Sequence, residues 1–280
     1  MQDGEGRRSG KGFPTAVQDR EAWERTPDTP QTLSPAYRLA FDDPDFLLRP
    51  ELRPMRLQLE LLKPEIILRE RGIDSTIVIF GSARIAAPGG EPIVDATPEI
   101  AERLAAKQHY YDEARKLARL ASQESMKHYG REFVVCSGGG PGIMEAANRG
   151  AAEIGAPSIG LNIVLPHEQA PNEYISPALS FQFHYFAVRK MHFLLRAKAL
   201  ACFPGGFGTF DELFEALCLI QTGKVEPMPI LLFGEDYWRR VINFEALVEE
   251  GTIAPRDLHL FSYVETAEDG WKMIRDYYDI

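Results

Sequence analysis

The feature that most constrains the fold is an alternation of short apolar runs with longer stretches of helical spacing. The runs STIVIF (75–80), EFVVC (132–136), SIGLNIVL (158–165), ALACF (199–203) and PILLF (229–233) are each followed by Gly, Ser or Pro. Helical patterns lie between them at 110–129, 142–155, 185–198, 209–222 and 237–250. Buried strands that alternate with helices are typical of a parallel sheet. We therefore predict an α/β protein with a doubly wound, mainly parallel sheet and helices on both faces.

Three segments follow from changes in composition along the chain. Residues 1–34 are rich in Gly, Pro, Arg, Asp and Gln and have almost no apolar period, which predicts a flexible leader. Residues 35–74 predict an N-terminal helical extension that is broken at Pro64, because proline lacks a backbone N–H. Residues 75–280 form the predicted α/β domain. Within it, we interpret the segment 85–108 as an insertion between the first strand and its helix.

The charge balance restricts the ligands. The chain has 31 Lys and Arg against 41 Asp and Glu, a net charge of −10, so we expect no binding to nucleic acid through the overall field. An anionic ligand must be held by a local arrangement. The N-terminus has no apolar core and no run approaches a membrane span, which predicts a cytoplasmic protein without membrane contact.

The three cysteines, Cys136, Cys202 and Cys218, lie among apolar neighbours without CxxC spacing. Their odd number and spacing favour buried thiols in a reducing compartment over disulfides or metal ligands.

Unusual turns follow three of the predicted strands: FGSAR (80–84), CSGGGPG (136–142) and CFPGGFGT (202–209). In parallel sheets ligands bind at the carboxyl ends of strands. Glycine turns that open helices leave backbone N–H groups free, and the helix dipole favours an anion there. Two such turns predict a shared phosphate site, although glycines can also serve tight strand–helix corners. Neither GxGxxG nor GxxxxGK[ST] is present in these turns.

Charged side chains flank the third turn. Glu212 lies in the first turn of the following helix, where an acid can simply stabilise the N-terminus. Next to a phosphate, a carboxylate is useful when the substrate develops positive charge, as a ribosyl oxocarbenium ion does. Arg189 and Lys190, upstream, are either a solvated pair at a helix start, or Arg189 points into the cleft toward the phosphate or the departing base. His184 and His192 are interpreted as packing or surface residues.

Taken together, SGGGPGIMEAANRGA (137–151), VRKM (188–191) and PGGFGTFDE (204–212) resemble the Lonely Guy family of nucleoside 5′-monophosphate phosphoribohydrolases. The hallmark PGGxGTxxE of that family is matched at 204–212. The likeness extends from about residue 76 to 234 and more loosely to the C-terminus. Many members carry a lysine decarboxylase label, but nothing here looks like a pyridoxal-phosphate site.

The resemblance implies a Rossmann-like fold and hydrolysis of the N-glycosidic bond of AMP or cytokinin riboside 5′-monophosphates to a free base and ribose 5-phosphate. It implies no metal or organic cofactor, and a homodimer or higher homo-oligomer whose sites lie where subunits meet. Arg189 and Glu212 correspond to the catalytic residues. Glu168 corresponds loosely to a further family glutamate, with Glu173 as a competitor. We expect these residues to bind substrate: Gly81, Ser82, Gly139, Gly140, Gly142, Glu145, Glu168, Lys190, Gly205, Gly206, Phe207, Gly208 and Thr209.

Two other functions remain open. A nucleotide or molybdenum-cofactor carrier without turnover would use the same sheet, but it would not need both Arg189 and Glu212. An NAD-dependent oxidoreductase is disfavoured by the missing GxGxxG. The leader, the 85–108 insertion and FAV (186–188), which replaces Met-His of the plant enzymes, leave the preferred base undetermined.

Overall fold

The computed structural model describes residues 12–90, 96–166 and 170–280. They divide into two compact units, residues 1–58 and 59–280. The helices are α1 (Ala16–Trp23), α2 (Pro44–Leu47), α3 (Arg53–Glu70), α4 (Pro98–Ala105), α5 (His109–Lys127), α6 (Ile143–Ala152), α7 (Phe186–Leu194), α8 (Phe207–Gln221), α9 (Glu235–Val241), α10 (Phe244–Glu249) and α11 (Ala267–Tyr278). The strands are β1 (Thr76–Phe80), β2 (Val134–Ser137), β3 (Ser158–Ile163), β4 (Ser180–Phe183), β5 (Ala197–Cys202), β6 (Ile230–Phe233) and β7 (Ser262–Val264). Short 3₁₀ turns lie at Pro35–Tyr37, Ala40–Asp42, Pro50–Leu52, Pro177–Leu179 and Pro255–Leu260.

In the described part of the chain, the sheet has seven strands in the order β4-β3-β2-β1-β5-β6-β7, and all six pairings are parallel. The chain starts this sheet in the middle, builds outward to β4, and then returns to the other side of β1 at β5. The predicted α/β, doubly wound parallel fold is therefore confirmed, and it is Rossmann-like.

The two faces of β1 show how the core is divided. Ile77 and Ile79 are fully buried in one apolar cluster with residues of α5, α6 and α11, among them Leu117 and Ile143. Phe80 points to the opposite face, where its ring lies 4.7 Å from that of Phe193 in α7. Strand side chains alternate between faces, so an uninterrupted apolar run is required when helices cover both.

In the described part of the unit 1–58, helices α1 and α2 carry side-chain caps. Thr15 and Gln18 form a capping box at α1, inside the segment predicted as a leader, and Asp43 caps α2 through the N–H groups of Asp45 and Phe46. The domain limits at 34 and 74 stay a prediction.

Pro64 does not break the helical extension, so that prediction was wrong. Helix α3 continues through Pro64 to Glu70. Proline removes the N–H that would bind the carbonyl of Glu60, four residues earlier. Nε2 of His192 lies 3.3 Å from that carbonyl oxygen and replaces the missing donor. The cost of a proline inside the helix is thus reduced by a contact 132 residues away in sequence.

Two further expectations are corrected. The predicted helix 237–250 is two helices, α9 and α10, because Asn243 leaves helical geometry and its side chain accepts the Ala246 N–H at 3.0 Å. Cys136 and Cys202 are buried as expected, but Cys218 is exposed, since it lies on the outer side of α8.

Candidate active site

The strand order brings the three unusual turns to one place. β1 lies between β2 and β5, so the turns after these three strands are neighbours. They lie at the topological switch point, where the strand order continues on the other side of β1. The N–H of Ser82 donates to the carbonyl of Pro204 at 3.0 Å, and the N–H of Ile143 donates to the carbonyl of Ser82 at 3.2 Å. The turn after β1 is therefore bonded to both glycine turns.

A cavity of about 370 Å³, here called the Glu212 cavity, opens between these turns. Its walls combine glycine backbone, two arginines, two carboxylates and apolar side chains, which suits a ligand with a charged end and a flat apolar end. The lining residues are Phe80, Gly81, Ser82, Ala83, Arg84, Gly138, Met144, Ile163, Leu165, Phe186, Arg189, Gly206, Gly208, Thr209, Asp211 and Glu212.

Glu212 lies in the second turn of α8 and not in the first turn as predicted, because the helix begins earlier, at Phe207. It is buried, with 6% of its surface exposed. Within the described part of the chain, its carboxylate has no hydrogen bond or ion pair. Burial raises its pKa from the ordinary 4.5 to about 7, although Lys190 and Arg189 lower it. A carboxylate that is desolvated and left open toward a cavity is poised to interact with a cation or a water in that cavity.

Arg189 projects from α7 to the carboxyl ends of β2 and β3. Its Nε–H donates to the carbonyl of Leu161 at 2.7 Å, and its guanidinium lies 5.1 Å from the centre of the Phe193 ring. A Cβ at Gly138 would lie 2.8 Å from Nη2 of Arg189, so this glycine leaves room for the guanidinium. The arginine is thus fixed on the cavity wall and does not extend into solvent as one of a solvated pair.

Lys190 has a different environment from its neighbour. Its Nζ lies 2.9 Å from Oδ1 of Asp211 and 3.3 Å from Oε2 of Glu215. These pairs outweigh burial and raise the pKa of Lys190. Lys190 is not on the wall of the Glu212 cavity. Lys190 neutralises two of the three carboxylates on α8. Its role in substrate binding stays a prediction.

The glycines of PGGFGT divide into two groups. A Cβ at Gly205 would lie 2.0 Å from Oγ1 of Thr209, so packing alone requires this glycine. A Cβ at Gly206 or Gly208 would meet nothing within 4 Å. Both are exposed, and α8 begins between them at Phe207. The first N–H groups of a helix have no partner inside the helix, so these open positions leave space in front of the donors.

The glycines after β2 are used mainly for packing. Gly139 and Gly142 have φ of +76° and +68°, which favours glycine, and a Cβ at Gly142 would lie 2.5 Å from the carbonyl oxygen of Ser82. Gly139, Gly140 and Gly142 do not line the Glu212 cavity, whereas Gly138 does. Their contact with substrate stays a prediction.

A buried amide network holds this loop. Nδ2 of Asn172 donates to the carbonyls of Gly139 and Gly140, both at 3.1 Å, and to Oδ1 of Asn148 at 3.0 Å. Asn148 Oδ1 also accepts from the hydroxyl of Ser137 at 2.7 Å. Asn148 and Asn172 carry no local sequence signal, because the flanking residues do not distinguish an asparagine that bonds 32 residues away from one in a turn.

Helix α3 supports the helix that carries Arg189. The carboxylate of Glu60 accepts the N–H groups of His184 at 2.8 Å and Tyr185 at 3.0 Å, directly before α7 begins. The cap residue Tyr185 provides no side-chain cap of its own. Glu60 therefore supplies the negative charge that stabilises the start of α7. Sequence spacing gave no signal for this contact.

The remaining predicted site residues lie elsewhere. Glu145 accepts a hydrogen bond from the hydroxyl of Tyr111 at 2.6 Å and is not on the wall of the Glu212 cavity. Glu168 falls outside the described residues, and its competitor Glu173 is exposed. Within residues 12–90, 96–166 and 170–280, no three His, Cys, Asp or Glu side chains are grouped as metal ligands would be. No helix in these ranges is both long enough and apolar enough to span a membrane.

The amino-acid sequence is similar to a family model and to several characterised proteins. The family model described as "Possible lysine decarboxylase" matches residues 144–274. A cytokinin riboside 5′-monophosphate phosphoribohydrolase of Arabidopsis thaliana is 29% identical over 150 residues, which cover 51% of this chain and 68% of that protein. A second one from Arabidopsis is 27% identical over 168 residues, covering 55% and 75%. The chain is similar to Lonely Guy phosphoribohydrolases over about half of its length.

Solved structures with related folds are more distant than these Lonely Guy proteins. The molybdenum cofactor binding protein of Rippkaea orientalis has a TM-score of 0.46 at 19% identity, over 73% of this chain and 98% of that one. The molybdenum cofactor carrier protein of Chlamydomonas reinhardtii has a TM-score of 0.48 at 16% identity, over 74% and 99%. At this distance neither bears on what the present chain binds.

Proposed function

We propose that this protein hydrolyses the N-glycosidic bond of nucleoside 5′-monophosphates, of the AMP or cytokinin riboside class, to a free base and ribose 5-phosphate. The observation that carries the proposal is the Glu212 carboxylate. It is buried, has no partner among the described residues, and shares a cavity with Arg189 and the open start of α8. The Lonely Guy relatives support the same reaction class.

In the proposed reaction, the phosphate binds at the N-terminus of α8, beside Ser82. The free N–H groups there and the helix dipole bind an anion without a basic patch, which suits a chain of net charge −10. Gly206 and Gly208 keep this position open because they carry no side chain. The ribose then lies over the second turn of α8, where Glu212 is located.

Glu212 acts on the sugar carbon. As the base departs, the ribose develops positive charge, and a nearby carboxylate stabilises this charge or orients the attacking water. Burial makes the ionised carboxylate unfavourable, so its interaction with a cation is stronger than it would be in water. Arg189 positions the phosphate or assists departure of the base.

The test uses purified full-length protein with AMP and with isopentenyladenosine monophosphate, and measures ribose 5-phosphate. We expect product from at least one substrate, and none from Glu212→Gln or Arg189→Ala. Glu249→Gln, which removes an exposed carboxylate from α10, is the matched control and should retain full activity. Binding of monophosphates without product would overturn the proposal and favour the carrier function. A homodimer or larger assembly, checked by light scattering, remains part of the proposal.

A further inference from the structure

A second cavity adjoins the Glu212 cavity on the far side of Gly206. It measures about 460 Å³ and is here called the Lys107 cavity. Both cavities are lined by Ser82, Arg84 and Gly206, so they meet at the start of α8. The other lining residues of the Lys107 cavity are Ile85, Leu104, Lys107, Pro204, Gly205, Phe207, Phe210 and Tyr237. Three of them, Ile85, Leu104 and Lys107, belong to the 85–108 insertion.

Among the described residues that line this cavity, the charged side chains are two cations, Lys107 and Arg84. Nζ of Lys107 donates to the backbone carbonyl of Arg103 at 2.9 Å. Among the described residues, neither Lys107 nor Arg84 forms an ion pair with a carboxylate. Burial and the like charges of Arg103 and Arg240 lower the pKa of Lys107. In a protein of net charge −10, such a group of cations creates a locally positive potential, which attracts an anion.

The cavity wall is also fixed in shape. The hydroxyl of Tyr237 donates to the carbonyl of Gly205, which ties α9 to the glycine turn. The ring of Phe210 packs edge-on against Trp238, with ring centres 5.6 Å apart. Lys107 and Arg84 therefore face a preformed wall, and an anion that enters loses little of its binding energy to rearrangement.

We propose that the Lys107 cavity is a second phosphate-binding subsite, formed by Lys107 and Arg84 beside the first phosphate position at the start of α8. It takes either the outer phosphate of a nucleoside 5′-diphosphate or a separate inorganic phosphate. The assignment of the first phosphate to α8 rests on the proposed function. The cavity and its two cations are observed independently of that function. If a diphosphate is cleaved, water gives its hydroxyl to the ribose carbon and its proton to the base, and ribose 5-diphosphate is released.

The experiment measures binding, so it does not depend on turnover. Full-length protein that carries Glu212→Gln is titrated in a calorimeter with AMP, ADP and inorganic phosphate. If the outer phosphate occupies the subsite, ADP should bind about ten-fold or more tightly than AMP, as expected for charge-assisted hydrogen bonds. Adding Lys107→Gln should remove most of this advantage and change AMP binding by less than about two-fold. If the subsite takes a separate anion, AMP-saturated protein should still bind inorganic phosphate, and Lys107→Gln should abolish this.

The matched control is Lys116→Gln, which removes the same charge from α5 at a site paired with Glu268. It should leave all three titrations unchanged. The proposal is overturned if ADP binds no more tightly than AMP while AMP-saturated protein binds no phosphate. It is also overturned if Lys107→Gln weakens AMP and ADP equally, or if none of the three ligands binds. Failure of the proposed hydrolysis would appear separately, as absence of ribose 5-phosphate from AMP with the unmodified chain.

Discussion

Replacement of Glu212 by Gln should make the protein more stable at neutral pH while it removes activity. In the folded protein the pKa of Glu212 is raised from 4.5 to about 7, chiefly by burial. An unfolded chain ionises this carboxyl near its ordinary value, so between these two pH values the folded state binds the proton more tightly. Stability therefore falls as pH rises through this window and is lowest above about pH 7.

The magnitude follows from the same difference. Each pH unit between the two pKa values corresponds to about 1.4 kcal/mol, so the ionised Glu212 costs up to about 3 kcal/mol above pH 7. Gln has nearly the shape of a protonated Glu and does not ionise. We expect Glu212→Gln to increase the free energy of unfolding by up to about 3 kcal/mol at pH 8, or roughly 6 °C in Tm, and to have little effect at pH 4.5.

The assay is thermal and urea unfolding of the original chain and the variant at several pH values between 4.5 and 8. Glu249→Gln serves as the exposed control and should show no such pH-dependent difference. Groups common to both proteins cancel in the comparison. A variant that is less stable at pH 8, or a difference that does not change with pH, would refute the claim that Glu212 is a desolvated carboxylate held for function.

Three further outcomes follow from the site. Gly208→Ala should leave Tm unchanged or slightly raised, because the new Cβ meets no atom and Ala favours a helix. The value of kcat/KM for AMP should nevertheless fall about ten-fold or more, because the methyl group enters the Glu212 cavity. A variant with unchanged activity would argue against phosphate binding at α8. Glu60→Ala should lower the free energy of unfolding by about 1–2 kcal/mol and reduce kcat, because the N–H groups of His184 and Tyr185 lose their acceptor at the start of α7; unchanged urea unfolding and kcat would contradict this support. For the original chain, log kcat/KM should rise with pH and level off above about 7, as Glu212 becomes ionised; a fall over this range would assign Glu212 as an acid.

The local pattern of the sequence determined the elements and the residue types of the site. Predominantly apolar runs predicted β1, β2, β3, β5 and β6, because strands that are covered on both faces have few polar positions. Turn chemistry placed the glycine loops after β2 and β5. Local rules were wrong where a distant group intervened: Pro64 is tolerated inside α3 because His192, far along the chain, binds the carbonyl of Glu60.

What a side chain meets was decided only by the tertiary structure. Arg189 and Lys190 are adjacent in sequence, yet one is bound to Leu161 on the cavity wall and the other lies between Asp211 and Glu215. Helical rotation of about 100° per residue separates them, but which face looks onto the cavity depends on where α7 packs.

By itself, the sequence thus determined that glycine turns follow buried strands and that an arginine and a glutamate flank the third turn. Only the strand order, with β1 between β2 and β5, determined that these turns lie side by side and that the Glu212 side chain is buried from solvent. The physical reason is that periodicity indicates which side of a helix or strand is buried. The residues that pack against that side come from segments more than fifty residues away, and local spacing carries no information about them.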